Sequence, residues 1–151
     1  MKSVTLSKWL FIAGLALLAS PPIYSQDWQT NFARAKELAK SQHTPIILVF
    51  QGSDWCAPCI KLDREVWSTD EFKTYAADHF VMLQADFPRK PKNALPEAQQ
   101  EANARLAETY NQNGIFPLVV ILDASGKVLG KTSYKKMSPS EYIAHLESFK
   151  S

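Results

Sequence analysis

Segment 46–50 reads Ile-Ile-Leu-Val-Phe, follows Pro45, and is broken at once by Gln51-Gly52-Ser53-Asp54. A short apolar run with no polar residue in it, rich in β-branched side chains and bounded by turn residues, is a strand buried on both faces. A strand of that kind needs a layer of structure above and below the sheet. The residues that follow supply one: from Cys56 onward Ile60, Leu62, Val66 and Trp67 are apolar, with Lys61, Asp63, Arg64 and Glu65 between them, a helical pattern.

The rest of the chain repeats the alternation of strand and helix. Segment 27–42 has helical periodicity, with Trp28, Phe32, Ala35, Leu38 and Ala39 on one face. Ser68-Thr69-Asp70 marks a boundary before a further helix over 71–78. Segment 80–86 (FVMLQAD) reads as a second strand, and 87–96 as a loop holding three prolines together with Arg89, Lys90 and Lys92. A helix over 97–111 follows, with Ala98, Ala102, Leu106 and Tyr110 at spacing four, and Asn113-Gly114 ends it. Segment 117–122 is a third strand, Asp123-Ala124-Ser125-Gly126 a turn, and 127–132 a fourth strand, giving a hairpin. Ser138-Pro139 opens a last helix, with Ser138 and Glu141 in the spacing of a capping box. Helical crossovers imply that the first two strands are parallel, and the hairpin implies an antiparallel pair. The expectation is an α/β fold: a mixed central sheet of about four strands with helices on both faces.

The first 25 residues read differently. Lys2 and Lys8 form a positive start, and 9–19 (WLFIAGLALLA) is an unbroken apolar run. That run falls short of the about 20 residues a spanning helix needs. Charge followed by a short apolar stretch is the pattern of a secretory signal peptide. The expectation is a signal peptide over 1–25, cut after Ser25, and one domain over 26–151 that is periplasmic or secreted. Charge agrees with a single ordinary domain: of 17 basic residues two are Lys2 and Lys8, leaving 15 against 15 acidic ones. A chain this close to neutral offers no electrostatic footprint for nucleic acid.

Cys56 and Cys59 are the only cysteines. A bridge between neighbours so close closes little loop and restrains the unfolded chain little, so a structural staple explains them poorly. Trp55-Cys56-Ala57-Pro58-Cys59 stands where the buried strand gives way to a helix, and a C-x-x-C there reads as a redox motif. Cys56 falls at the helix N-terminus, where free N–H groups and the helix dipole stabilise a thiolate, the nucleophilic form. Pro58 suits the first turn, where its missing N–H is not needed. Cys59, one turn on, is placed to attack a mixed disulfide at Cys56. In this reading Cys56 attacks and Cys59 resolves, and the redox-active pair needs no other cofactor.

Segment 46–62 (IILVFQGSDWCAPCIKL) resembles the active-site strand, loop and helix of the thioredoxin-like superfamily, whose exported members include thiol–disulfide oxidoreductases with a WCxxC motif. Segment 114–122 (GIFPLVVIL) resembles that family's second landmark, a proline opening the next strand. The resemblance implies that Pro117 is cis and packs against the cysteine pair, and that Trp55, Pro58, Phe116 and Pro117 contact the substrate. It also exposes departures. The family's buried Asp in the active-site strand is missing, and so is the Lys that pairs with it, since Val81, Met82 and Leu83 occupy its region. The usual first strand is absent, and the Gly52-Ser53-Asp54 loop is longer. Either Asp54 or bound water is left to take the proton from the second cysteine.

Other readings can be weighed on residue types. A closed zinc site needs about four ligands, and no second C-x-x-C accompanies this one, while His43, His79 and His145 stand on separate elements; no metal is expected. A soft-metal carrier suits two thiolates, but Met82 and Met137 fall elsewhere. A non-catalytic binding module would use Trp55, Pro58, Ile115 and Phe116 as an apolar patch. The leading expectation is an oxidoreductase acting on exported client proteins with thiols or disulfides, served by a membrane electron donor. Ala57-Pro58 resembles the Gly-Pro of reducing thioredoxins and puts no His⁺ beside Cys56, which favours the reducing side. The loop holding Arg89, Lys90 and Lys92 follows the second parallel strand, which puts it on the same sheet edge as Cys56, where it helps recognise a client.

Overall fold

The computed structural model describes residues 26–150, so the leader read over 1–25 lies outside the described residues. The elements run α1 (Phe32–Gln42), β1 (Ile46–Gln51), α2 (Ala57–Leu62), a π-helical turn (Asp63–Trp67), α3 (Asp70–His79), β2 (Val81–Asp86), α4 (Glu97–Tyr110), β3 (Leu118–Leu122), β4 (Val128–Thr132) and α5 (Pro139–Glu147). The four strands form one mixed sheet in the order β2-β1-β3-β4. β1 pairs parallel with β2, Ile46 opposite Val81, and antiparallel with β3, Ile46 opposite Leu122. β3 pairs antiparallel with β4.

β1 is therefore interior, and Ile46 to Phe50 are each at most 1% exposed. Side chains alternate across a strand, and the core divides accordingly. Ile47, Val49, Met82, Val119 and Ile121 face Leu62, Val66, Trp67, Phe72 and Leu146 from α2, the π-turn, α3 and α5. Ile46, Leu48, Leu83, Val120 and Leu122 face Ala35, Ala39, Leu106 and Tyr110 from α1 and α4.

The N-terminal reading needs one correction. Helical spacing extends back to Asp27, but α1 begins at Phe32, and the Asn31 side chain caps it by accepting from the Arg34 N–H at 3.0 Å. The preceding stretch is extended and makes one parallel bridge to the outer edge of β2: Gln29 N–H donates to Met82 O at 2.8 Å, and Gln84 N–H donates to Gln29 O at 2.9 Å. A strand edge left bare presents unpaired backbone groups. Here a single bridge among the described residues covers part of that edge. Trp28 holds the stretch down, its ring edge-on to Trp67 with centroids 6.2 Å apart.

Candidate functional site

The site begins where β1 ends. The Gly52 carbonyl accepts from the N–H of both Trp55 (3.2 Å) and Cys56 (2.9 Å), which turns the chain from strand into helix. Gly52 is needed for a second reason: a Cβ there would run into the Trp55 indole. Gly52→Ala is expected to expel the indole from its seat, read as a red-shifted, more quenchable Trp emission; an unchanged spectrum would show that the turn absorbs a methyl group.

Cys56 is the N-cap of α2, and its Sγ accepts from the Cys59 N–H at 3.3 Å. Pro58 occupies the first turn and is exposed. Cys56 and Cys59 are joined as a disulfide, with S–S 2.08 Å and Cα–Cα 5.2 Å, and are 4% and 3% exposed. When the pair is reduced, the N–H groups of the first turn favour the thiolate of Cys56, because a helix N-terminus carries partial positive charge.

Three other segments converge on this turn. The first ends at Pro117: the Phe116–Pro117 peptide is cis, and the Phe116 ring meets the Trp55 ring edge-on at 5.5 Å. Asn111 shapes the approach, accepting from Ile115 N–H (2.9 Å) and donating to Ile115 O (2.8 Å) while buried at 5% exposure. Behind the proline, Ser133 Oγ donates to Pro117 O at 2.6 Å, and Tyr142 Oη donates to Ser133 O at 2.9 Å. The second is the end of β2, where the Asp86 carboxylate accepts from the Ser53 N–H (2.9 Å) and hydroxyl (2.6 Å).

The third is the loop after β2. Phe87 O accepts from Trp55 Nε1 at 2.7 Å, and the Phe87 ring packs on Phe116 at 5.5 Å. The Arg89 guanidinium lies over the Trp55 ring, 3.6 Å from its centroid. Asp54 ties the loop down: its carboxylate accepts from the N–H of Arg89 and of Lys90 and from Asn93 Nδ2, each at 2.9 Å.

That geometry commits the Asp54 carboxylate to the loop. The Arg89 N–H foremost, helped by Asn93 and the Lys90 N–H, holds its carboxyl below the ordinary value of 3.8 in spite of opposing desolvation. A carboxylate so satisfied is a weak base, and Asp54 acts as a loop anchor. Its folded pKa is depressed, so the anchor is complete above the ordinary value and is lost as pH falls through the lower folded one. Trp emission is expected to hold steady from neutral pH down to about pH 5 and to change only below about pH 4. Asp54→Asn should lack that acid step, and a step that survives the substitution would place its origin elsewhere.

Trp55 and Phe116, proposed from the sequence, are thus brought into contact, with Pro117 next in line. Phe87, Asp86 and Ser133 went unnoticed because each acts through a partner distant in sequence; Asn111 bonds Ile115 only four residues on, and as a polar residue just after an apolar helical stripe it offered a local hint. Among the described residues no group of three or more His, Cys, Asp and Glu side chains is arranged to hold a metal ion.

A family model described as thioredoxin-like matches residues 27–124. The disulfide bond reductase DsbH of Chlamydia pneumoniae is 36% identical over 137 residues, covering 90% of this chain and 81% of that protein. The thioredoxin-related protein DsbJ of the same organism is 30% identical over 95 residues, covering 63% of this chain but 26% of that protein. Among solved structures, a DsbH oxidoreductase superposes with a TM-score of 0.77 at 35% identity, covering 91% of this chain and 94% of that one.

Proposed function

The chain belongs to the thioredoxin-like family and is a protein-disulfide oxidoreductase, and from that premise we propose that it reduces disulfides in exported client proteins. The observation that carries the reading is Cys56 at the N-cap of α2, bonded to Cys59 one turn on and flanked by Trp55 and Phe116. The Cys56 thiolate attacks one sulfur of a client disulfide, and the other client sulfur leaves as a thiolate that takes up a proton. Cys59 loses its proton to solvent water, Asp54 being engaged elsewhere, and attacks Cys56 Sγ in the mixed disulfide. The second client thiol is released, the client has gained two electrons, and Cys56–Cys59 is the oxidised product. Trp55, Pro58, Phe116 and Pro117 hold the client segment during the exchange.

Three considerations support the reducing direction and the export. Ala57-Pro58 places no cation between the cysteines, which leaves the thiolate less stabilised than in strong oxidants. The relative with 36% identity is named a disulfide bond reductase. Residues 1–25 carry the charge and apolar run of an export signal. The disulfide left after each turnover then needs a dithiol donor of two electrons, which in an exported protein comes from the membrane. No cofactor beyond the cysteine pair enters this cycle.

The test is the redox equilibrium of the purified protein in graded glutathione or dithiothreitol buffers, with free thiols trapped and counted by mass. A reversible two-electron transition with a midpoint near or below about −230 mV is expected, on the reducing side of the thioredoxin–glutaredoxin range. A midpoint near about −120 mV would make the protein an oxidant, and the absence of any transition would remove the redox role.

A further inference from the structure

We infer that the loop carrying Arg89, Lys90 and Lys92 is a specificity element, selecting client segments that carry carboxylates beside the reactive cysteine; this rests on the reductase reading above. The loop is held at the site by two independent contacts. Asp54, the residue before Trp55, takes both backbone N–H groups at its start and the Asn93 amide. The Arg89 guanidinium lies over the ring of Trp55, the residue next in sequence to the attacking cysteine, 3.6 Å from its centroid. A guanidinium stacked through its face keeps its N–H donors at the edge, where they match a carboxylate two at a time. Among the described residues no side-chain hydrogen bond or ion pair occupies those donors.

The charge balance of the surface favours an acidic partner. Arg89, Lys90 and Lys92 are exposed. The two neighbouring carboxylates are committed inward: Asp54 to the loop itself, and Asp86 to the Ser53 N–H and hydroxyl. The stack has already ordered the Arg89 side chain, and the anchor the backbone of Arg89 and Lys90, so an anion bound at Arg89 costs little further conformational freedom. Pro58, between the cysteines, and Ile115, next in sequence to Phe116, are also exposed, the latter at 45%. A client segment therefore meets apolar side chains as well as positive charge.

The experiment uses two peptide disulfides identical except for flanking residues, Asp and Glu in one and Lys in the other. Reduced protein is mixed with each, and second-order rates are compared on the same preparation. The acidic peptide is expected to react about five- to tenfold faster at about 20 mM salt, and less than about twofold faster at about 500 mM, where screening reaches a few Å. In Arg89→Gln, Lys90→Gln, Lys92→Gln the ratio of the two rates should fall to about one; being a ratio, it is insensitive to a general loss of activity. Equal rates in the parent protein, or a preference that outlasts both salt and the triple substitution, would overturn the assignment. Failure to reduce either peptide would instead count against the reductase reading on which it rests.

Discussion

Cys56→Ser is expected to lower disulfide reduction by at least about a thousandfold, while Cys59→Ser stops the cycle midway with the client bound. The difference follows from their places at the start of α2. Cys56 caps the helix, and serine is among the best N-cap residues, so the substitution keeps the local fold. What it removes is the nucleophile: a hydroxyl has no anionic form near neutral pH that could attack sulfur, whereas the thiolate does. Cys59→Ser leaves the attack intact and removes the thiol that would displace the client, so a mixed disulfide through Cys56 accumulates. Mass spectrometry of non-reduced protein after mixing with a peptide disulfide distinguishes the two. The Cys59 variant should gain the peptide's mass and lose it on adding dithiothreitol, and the Cys56 variant should gain nothing. Adducts on Cys59 in the Cys56 variant would reverse the proposed roles. Either substitution also removes the internal bond, worth about 2 kcal/mol on a chain-entropy account of so short a loop. Stability should therefore be compared with the reduced parent.

The largest structural effect is expected at Trp67. It is 1% exposed and touches three rings: Phe72 of α3 at 4.7 Å, Tyr142 of α5 at 5.4 Å and Trp28 of the N-terminal stretch at 6.2 Å. Trp67→Ala leaves a cavity that these partners cannot fill without moving, and should cost about 3–5 kcal/mol. For a domain of this size that is roughly 10–20 °C in Tm. The damage should also reach the site, because Tyr142 Oη holds Ser133 O and Ser133 Oγ holds Pro117 O. Denaturant melts and peptide-reduction rates below the melting range check both effects, with Trp67→Phe expected to retain most of each. A loss under about 1 kcal/mol would show that the aromatic cluster is not a central support of the fold.

Much of the architecture was legible because it rests on short-range patterns. The apolar run at 46–50 required cover on both faces, and β1 has it. The capping box at Ser138 and Glu141 starts α5, with the Ser138 N–H donating to Glu141 at 2.8 Å. Trp28 misled for the same reason that the other positions could be read. It repeats at helical spacing with Phe32 and Ala35, yet its apolar ring serves an extended stretch as well as it would a helix. Periodicity cannot distinguish the two when the partner, Trp67, is far along the chain. The part of Asp54 as loop anchor was not legible because its partners, the backbone N–H groups of Arg89 and Lys90, carry no signature in residue type.

From sequence alone came the layered α/β class, the strand-to-helix junction with its two cysteines, and the place of Cys56 at the helix cap. All of these follow from side-chain spacing and from hydrogen bonds within one turn. The sequence also set the loop after β2 and the Phe116-Pro117 turn near the cysteines; tertiary structure alone decided which side-chain contacts join them there. Burying β1 on both edges as well as both faces puts β2 on one side and β3 on the other. That brings the loop after β2 and the turn before β3 to the same end of the sheet as Trp55. Arg89 on the indole, Asp54 under the loop and Phe116 against Trp55 are consequences of that strand order, which no local pattern along the chain records.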